Sequence, residues 1–499
     1  MKQINGNIIA VIFFIGLLSA CGTKNRPTTI VQPLPIEQTN PSSETQFEYL
    51  LQFNGGRYVA EPALNEYLSA IGGRLTRLAG YEVLNNQFAV VNSHRVDAWV
   101  SSEGRVAISL GMLTTLSNEA ELAALLGHLL AHAAQQHSAT AIARGITITP
   151  TLLAKKAEHP DAQYIVGAGL AVLAEQTIRY NPVTEQKADY AAITIMIKAG
   201  YDPQAAVNLQ LKKSADGGGK LHHLNHYDPP NRQRLVASRQ HAHNHPAGLT
   251  MAERSYQDVL EKLSPYEKAY QQQPQLQQLL NQGKAEAAYT LAQKLILAAP
   301  REGRFYALKG DALQQMDKIT DAIAAYNQAL TRDPLYFAYH LRLAELHMAQ
   351  QDSVAAQAAL RSSIQHLPTA KGYVWLAQLA EQQGDLIQAH EYYQRAARSK
   401  TPLGEEAEKE KQRIDFAQNP NRYIHIKHQR VASNKLRLFV TNTNPYPAQI
   451  ESLLLEAEQT YRIRLDQRIP AQSSVSSTVT INELGKIESI TVDQATLLP

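Results

Sequence analysis

Apolar residues at Leu64, Tyr67, Leu68, Ile71, Leu75 and Leu78 recur with the period of a helix and predict an amphipathic one. Two short apolar runs follow, Phe88 to Val91 and Val106 to Leu110, and read as strands. From Asn118 to His137 the chain runs NEAELAALLGHLLAHAAQQH. Asn118 with Glu121 three residues on forms an N-cap and capping box, and Leu122, Leu125, Leu126, Leu129 and Leu130 keep helical spacing behind it, so this helix is largely buried. Tyr164 to Ala174 is a run of eleven small and apolar residues, too short to span a bilayer, which fits a buried helix better than a membrane contact. Thr184 to Ala199 is helical again and stops at Gly200, the residue that ends helices without strain.

Further along, the pattern repeats. Pro300, Pro334, Pro368 and Pro402 are 34 residues apart each time, the period of tetratricopeptide repeats, the TPR fold. Tyr306, Gly310, Leu313, Ala322, Tyr326 and Ala329 make the best unit, and the register slips by one in the last. Such repeats stack into a superhelix whose concave side takes peptides or partner segments, with Tyr306 and Tyr326 as core of the repeat. After about Gln418 the period changes to two: Ile424 and Ile426, then Leu436, Leu438 and Val440, then Tyr461, Ile463 and Leu465 alternate with polar residues, and NTNPYP at Asn442 to Pro447 makes a turn. This is a small antiparallel, sandwich-like β domain, for which an interaction role is the default.

With 499 residues the chain is too long for one core, and a net charge of +3 with both signs well mixed carries no nucleic-acid signature. One feature of composition changes the picture: Cys21 is the only cysteine, and it follows Leu18-Ser19-Ala20 at the end of the apolar run Ile8 to Leu18, with Lys2 ahead of it. That is the form of a lipoprotein signal peptide, with Cys21 as the lipidated residue. Its resemblance to bacterial lipoproteins implies cleavage before Cys21, and Gly22 in the next position implies outer-membrane sorting. A chain without a second cysteine also suits an oxidising periplasm. Pro, Thr, Ser, Gln and Asn dominate from Gly22 to about Glu44, the composition of an extended tether.

The candidate chemistry lies in the helices. His128 and His132, four apart, present two imidazoles on one helix face within reach of a single metal ion. Glu185 and Asp189, also four apart, offer a carboxylate ligand and a second carboxylate behind it, or simply a solvated face. His128, His132 and Glu185 would make a three-ligand zinc site with an open fourth position, and Asp189 could orient an imidazole. Six histidines between Leu221 and Pro246 read as a soluble loop, with metal buffering as the alternative.

These residues carry a resemblance. From about Tyr58 to Arg234 the chain resembles the gluzincin metallopeptidases of the CAAX-prenyl-protease and heat-shock-protease type, in the form of periplasmic, TPR-tailed proteases that assist outer-membrane β-barrel assembly. The matching residues are NEAELA from Asn118, His128 and His132, the ExxAD of Glu185 to Asp189, AGYDP at Ala199 to Pro203, and PPxxxR at Pro229, Pro230 and Arg234, with the FAVVN and DAWV strands ahead of the metal helix. The resemblance implies zinc, and it implies a glutamate after the first histidine as the general base that takes a proton from zinc-bound water. Here the motif reads HLLAH, and Leu129 stands in that place. The family's histidine before its Pro-Pro pair is replaced as well: Asp228 precedes Pro229, with His226 two residues upstream, in an expected loop near the metal that runs on to Arg234. The strand edge is altered to SSEG at Ser101 to Gly104.

The expected architecture is therefore multidomain: a signal peptide over 1–20, a tether over 21–44, an α+β zincin-like domain over 45–262, an α-solenoid TPR array over 263–412 and an all-β sandwich-like domain over 413–499. The expected protein is a periplasmic, outer-membrane-anchored lipoprotein that binds zinc through His128, His132 and Glu185. It acts as a pseudoprotease or adaptor in envelope protein assembly or quality control, with a protein or peptide partner in the TPR groove and no nucleic acid. The alternative is an active zinc endopeptidase cleaving misfolded envelope proteins.

Overall fold

A computed structural model describes residues 42–84, 87–135, 159, 161–162, 165–166, 182–213, 232–243, 245, 248–399, 401–481 and 485–498. Cys21, the signal peptide, nearly all of the tether, most of Tyr164–Ala174 and the stretch holding His222, His223, His226, Asp228, Pro229 and Pro230 lie outside the described residues.

The first part of the described chain is α+β. Helix α1 (Ser43–Phe53) and helix α2 (Pro62–Ala79) precede strand β1 (Phe88–Val91), β2 (Ala98–Val100) and β3 (Val106–Ser109). The sheet order is β1-β3-β2, with β1 parallel and β2 antiparallel to β3. The spacing read at Leu64 to Leu75 delivers a buried face, with Leu64, Leu68, Ile71 and Leu75 all buried, whereas Leu78 at the end of the helix is exposed. Gly72 is needed there, because a Cβ would stand 2.3 Å from the Phe88 ring that β1 lays across the helix. The altered SSEG stretch turns β2 into β3, with Gly104 at φ +89° donating its N–H to Ser101 at 3.0 Å.

A one-turn helix α3 (Leu110–Leu113) leads to α4 (Glu119–Ala134), then come α5 (Pro182–Lys198), α6 (Gln204–Lys213) and α7 (Arg232–His243). Two sequence expectations change here. His241 and His243 are helical, with His241 stacked on Tyr190 at 3.7 Å between ring centres, because α7 packs on α5 instead of looping. Ile165 and Val166, expected inside a buried helix, are extended, since their main chain pairs with residues 368 and 369 far along the sequence.

The 29-residue helix α8 (Glu253–Asn281) then runs into the repeats. These are α9 (Ala285–Ala298), α10 (Gly303–Gln315), α11 (Ile319–Arg332), α12 (Phe337–Ala349), α13 (Ser353–His366), α14 (Ala370–Gln382) and α15 (Leu386–Ala396), closed by α16 (Pro402–Gln418). A Cβ at Gly310 would stand 2.6 Å from the Tyr326 ring, so the glycine lets the two helices of the repeat close on that side chain. Tyr306 and Tyr326 are both buried, as core residues should be.

The array and the first domain share one apolar core, which continues from Tyr58 through α4 and α8 to Phe305, Leu308 and Ala312. A buried polar knot crosses the same junction. Tyr270 on α8 donates to Asn92 Oδ1 at 2.9 Å and to Glu302, and the Asn92 amide reaches both carboxylate oxygens of Glu302 at 3.2 and 3.3 Å.

The C-terminal part is all β, two three-stranded antiparallel sheets facing each other. One is β4 (Ile424–Ala432), β5 (Lys435–Asn442) and β8 (Ser473–Thr480); the other is β7 (Thr460–Ile469), β6 (Ala448–Glu456) and β9 (Ser489–Leu497). Leu436, Leu438 and Val440 point inwards and meet Ile450, Leu453 and Leu455, the alternation that the period of two demanded. No helix among the described residues is long and apolar enough to cross a membrane.

Candidate metal centre

The N-terminus of α4 is built as its sequence requires. Asn118 Oδ1 accepts the Glu121 N–H at 2.8 Å, while the Glu121 carboxylate takes the N–H of Ser117 at 2.8 Å and an ion pair from Lys212 at 2.6 Å. Glu119 beside it accepts from Tyr67 at 2.6 Å, from Ser255 at 3.1 Å and from Tyr201, tying α2, α8 and the turn after α5 to the same helix end. The position of α4 is thus set from several sides before any metal chemistry enters.

Helix α5 crosses α4 closely because both are small at the contact. A Cβ at Gly127 would lie 3.2 Å from the Cα of Ala192. This approach brings Glu185 over the two histidines. His128 Nε2 and His132 Nε2 are 3.2 Å apart, His132 Nε2 lies 3.3 Å from Glu185 Oε1, and His128 Nε2 lies 3.5 Å from Glu185 Oε2. Donor atoms bound at about 2.0–2.1 Å around a tetrahedral zinc ion stand roughly 3.3–3.4 Å from one another, so the three side chains already hold the spacing of such a set. The group is buried, and His132 and Glu185 have no exposure at all. One Glu185 oxygen faces each imidazole, so the carboxylate is aimed at the point where the ring nitrogens converge. The residues present therefore fit a bound divalent cation.

Around this group lies a shell of charge. Asp189 Oδ1 is 3.0 Å from His128 Nδ1, which fixes the ring with Nε2 facing Glu185. Arg234 donates through Nε to Asp189 Oδ2 at 2.9 Å, with Nη2 2.7 Å from the same oxygen and 3.0 Å from Glu185 Oε2. Arg234 was expected in a loop; it sits in the first turn of α7, which carries it onto α5. Burial works against charge throughout, but pairing prevails. Desolvation lowers His128, and hydrogen bonds to Asp189 and Glu185 reverse the sign and raise it. Burial raises Glu185, and the two histidines bring its carboxyl well below the usual range; Asp189 is likewise lowered by His128 and Arg234 against its burial. Any cation, a proton or a metal ion, is favoured where the ring nitrogens and the carboxylate meet.

Leu129 is fully buried and belongs to the main apolar core with Leu125, Leu126 and Leu130. Reading the sequence did not single out Lys213, which ends α6. Burial lowers its ammonium and the charges of Glu185 and Asp189 oppose that, so it belongs to the electrostatic surroundings of the site. No local motif marks it, because its place depends on α6 folding back along α4.

Residues 62–248 match Peptidase family M48, and residues 303–334 and 370–400 match the tetratricopeptide repeat. The Beta-barrel assembly-enhancing protease of Yersinia pestis is 28% identical over 166 residues, which is 32% of this chain and 34% of that protein. The Beta-barrel assembly-enhancing protease of Escherichia coli (strain K12) is 26% identical over 167 residues, again 32% and 34% of the two chains. The Mitochondrial metalloendopeptidase OMA1 of Arabidopsis thaliana is 27% identical over 141 residues, 28% of each. Each similarity thus spans about a third or less of the relative's own length. The chain accordingly joins a metallopeptidase domain of family M48, of the gluzincin type, to a C-terminal array of tetratricopeptide repeats.

Proposed function

We propose that this protein is a pseudoprotease of the bacterial envelope: its M48 domain retains a zinc-binding centre, has lost the group that moves the proton, and serves with the repeats as an adaptor in outer-membrane protein assembly or quality control. The observation that carries this reading is the pairing of a converged His128, His132 and Glu185 with a fully buried Leu129 in the general-base position. His128, His132 and Glu185 would hold the metal, and Asp189 and Arg234 would keep His128 and Glu185 aimed. Zinc so bound supplies Lewis acidity, polarising a carbonyl and acidifying water. Leu129 has no atom that accepts or donates a proton, and loss of a positioned acid/base group costs about 10²–10⁴-fold in rate. Similarity to β-barrel assembly-enhancing proteases supports the envelope assignment, and Cys21 after Leu18-Ser19-Ala20 supports anchoring by a lipid.

Cleavage of an unfolded protein by the zinc-loaded chain tests this, beside Leu129→Glu and Leu129→Gln. Silence from the natural chain and from Leu129→Gln, with chelator-sensitive cleavage by Leu129→Glu, is the expected outcome. Equal cleavage by all three would overturn the reading in favour of a working zinc endopeptidase.

A further inference from the structure

The two outer faces of the C-terminal β domain differ in charge. Strands β4, β5 and β8 contain no aspartate or glutamate, whereas the other sheet mixes Arg462, Arg464 and Arg468 with Glu451, Asp466 and Asp493. Alternation along β5 sends Leu436, Leu438 and Val440 into the core, so Lys435, Arg437 and Phe439 point the other way. The pairing register carries that outer face across the sheet: Phe439 has Lys427 of β4 on one side and Ser476 of β8 on the other, and Thr478 stands beside Arg437. All of these side chains are exposed, and Phe439 at the centre is 40% exposed. Lys427, Lys435 and Arg437 form no ion pair among the described residues.

A face with three unpaired cations and no acid is complementary to negative charge. Its size decides which kind. Three strands about 4.8 Å apart, with a rise of about 3.4 Å per residue along β5 and β8, cover roughly 400 Å². That is about half of what one partner gives to a standard protein–protein interface, and a single aromatic ring is a small apolar core for one. A headgroup layer needs no matching relief, and a basic face with a projecting aromatic side chain suits it. We infer that the outer face of β4-β5-β8 docks on an anionic lipid surface. Lys427, Lys435 and Arg437 pair with headgroup phosphates, the Ser476 and Thr478 hydroxyls donate to phosphate oxygens, and Phe439 inserts between headgroups. Neighbouring cations on such a face are about 7–8 Å apart, so each meets a separate headgroup. The inference is independent of the metal centre and of the adaptor reading of the repeats.

Sedimentation with vesicles tests it, on the chain from residue 21 onward with Cys21→Ser, so that no acyl chain contributes. The protein binds vesicles of phosphatidylethanolamine and phosphatidylglycerol, does not bind vesicles of phosphatidylcholine alone, and is released by salt. Lys427→Gln, Lys435→Gln and Arg437→Gln each weaken binding about fivefold. Arg464→Gln, the same change of charge on the opposite sheet, leaves it unchanged, and all four variants melt with the parent chain. With anionic vesicles, the emission of Phe439→Trp, measured against the parent chain with its Trp99 and Trp375, shifts to the blue and is quenched by brominated acyl chains. Equal binding to both kinds of vesicle, a loss at Arg464→Gln as large as at Arg437→Gln, or an emission that does not move would overturn the inference. Indifference to vesicles together with capture of a polyglutamate peptide, lost in Arg437→Gln, would overturn it in favour of an acidic protein partner.

Discussion

At the scale of single residues, His128 is held by two carboxylates of α5, Glu185 and Asp189, and this pairing decides whether it serves as a metal ligand or as a buried base. Asp189 makes the contact at Nδ1 and leaves Nε2 for the cation. Asp189→Asn keeps a hydrogen-bond acceptor but removes the charge, and zinc affinity should fall by about 10–100-fold with the fold intact, read by competition with a chromophoric chelator. An unchanged affinity would mean that the helices alone orient the ring. Leu129 makes the opposite case, a side chain whose surroundings are apolar and closed. Leu129→Ala should cost about 2–5 kcal/mol of stability by chemical denaturation, and a neutral result would show that Leu129 does no work in the core.

At the scale of elements, the site exists because α4 and α5 touch. Their approach depends on Gly127 against Ala192, a position at which the sequence pattern gives no sign of function. Gly127→Val should prise the helices apart, so that Glu185 no longer meets the histidines and zinc binding falls by more than tenfold while helix content by circular dichroism persists. The turn between α11 and α12 holds another element-level contact. Asp333 is buried there, and burial together with the charge of Glu302 pushes its carboxyl up to about 7. The native state thus binds a proton that the unfolded chain releases near pH 4, so this contribution to stability is present at low pH and is lost as the pH rises through about 7. Asn at this position keeps an acceptor for the Leu335 N–H, now received at 3.3 Å. Asp333→Asn should therefore raise the melting temperature at pH 8 relative to the natural chain and flatten its change between pH 5 and 8; parallel curves for both proteins would remove Asp333 from the account.

At the scale of the whole molecule, the metallopeptidase domain and the first repeats are one body. The core that begins at Tyr58 ends at Ala312, and the Asn92–Tyr270–Glu302 knot seals it. A fragment cut at residue 262 would expose the apolar faces that α8, α9 and α10 cover. It should melt well below the full chain or aggregate, while a fragment carried on to residue 315 should regain a cooperative transition by circular dichroism. Independent folding of the shorter piece would show that the shared core is dispensable.

The sequence by itself determined every element with a clean period. The 34-residue spacing of Pro300, Pro334, Pro368 and Pro402 and the alternation in β5 are local physics, since a repeat must bury one face and a strand must turn every second side chain inwards. It also set His128 with His132, and Glu185 with Asp189, on shared helix faces, because i,i+4 spacing fixes which residues lie side by side. Only the tertiary structure decided what those faces meet: that α5 lies close enough for Glu185 to complete the group, that Arg234 arrives on a helix, and that Ile165 and Val166 leave a helix-like pattern to pair with residues 368 and 369. Those outcomes rest on contacts between residues tens to hundreds of positions apart. Their free energy depends on which surfaces the whole chain brings together, and no short window of sequence contains it.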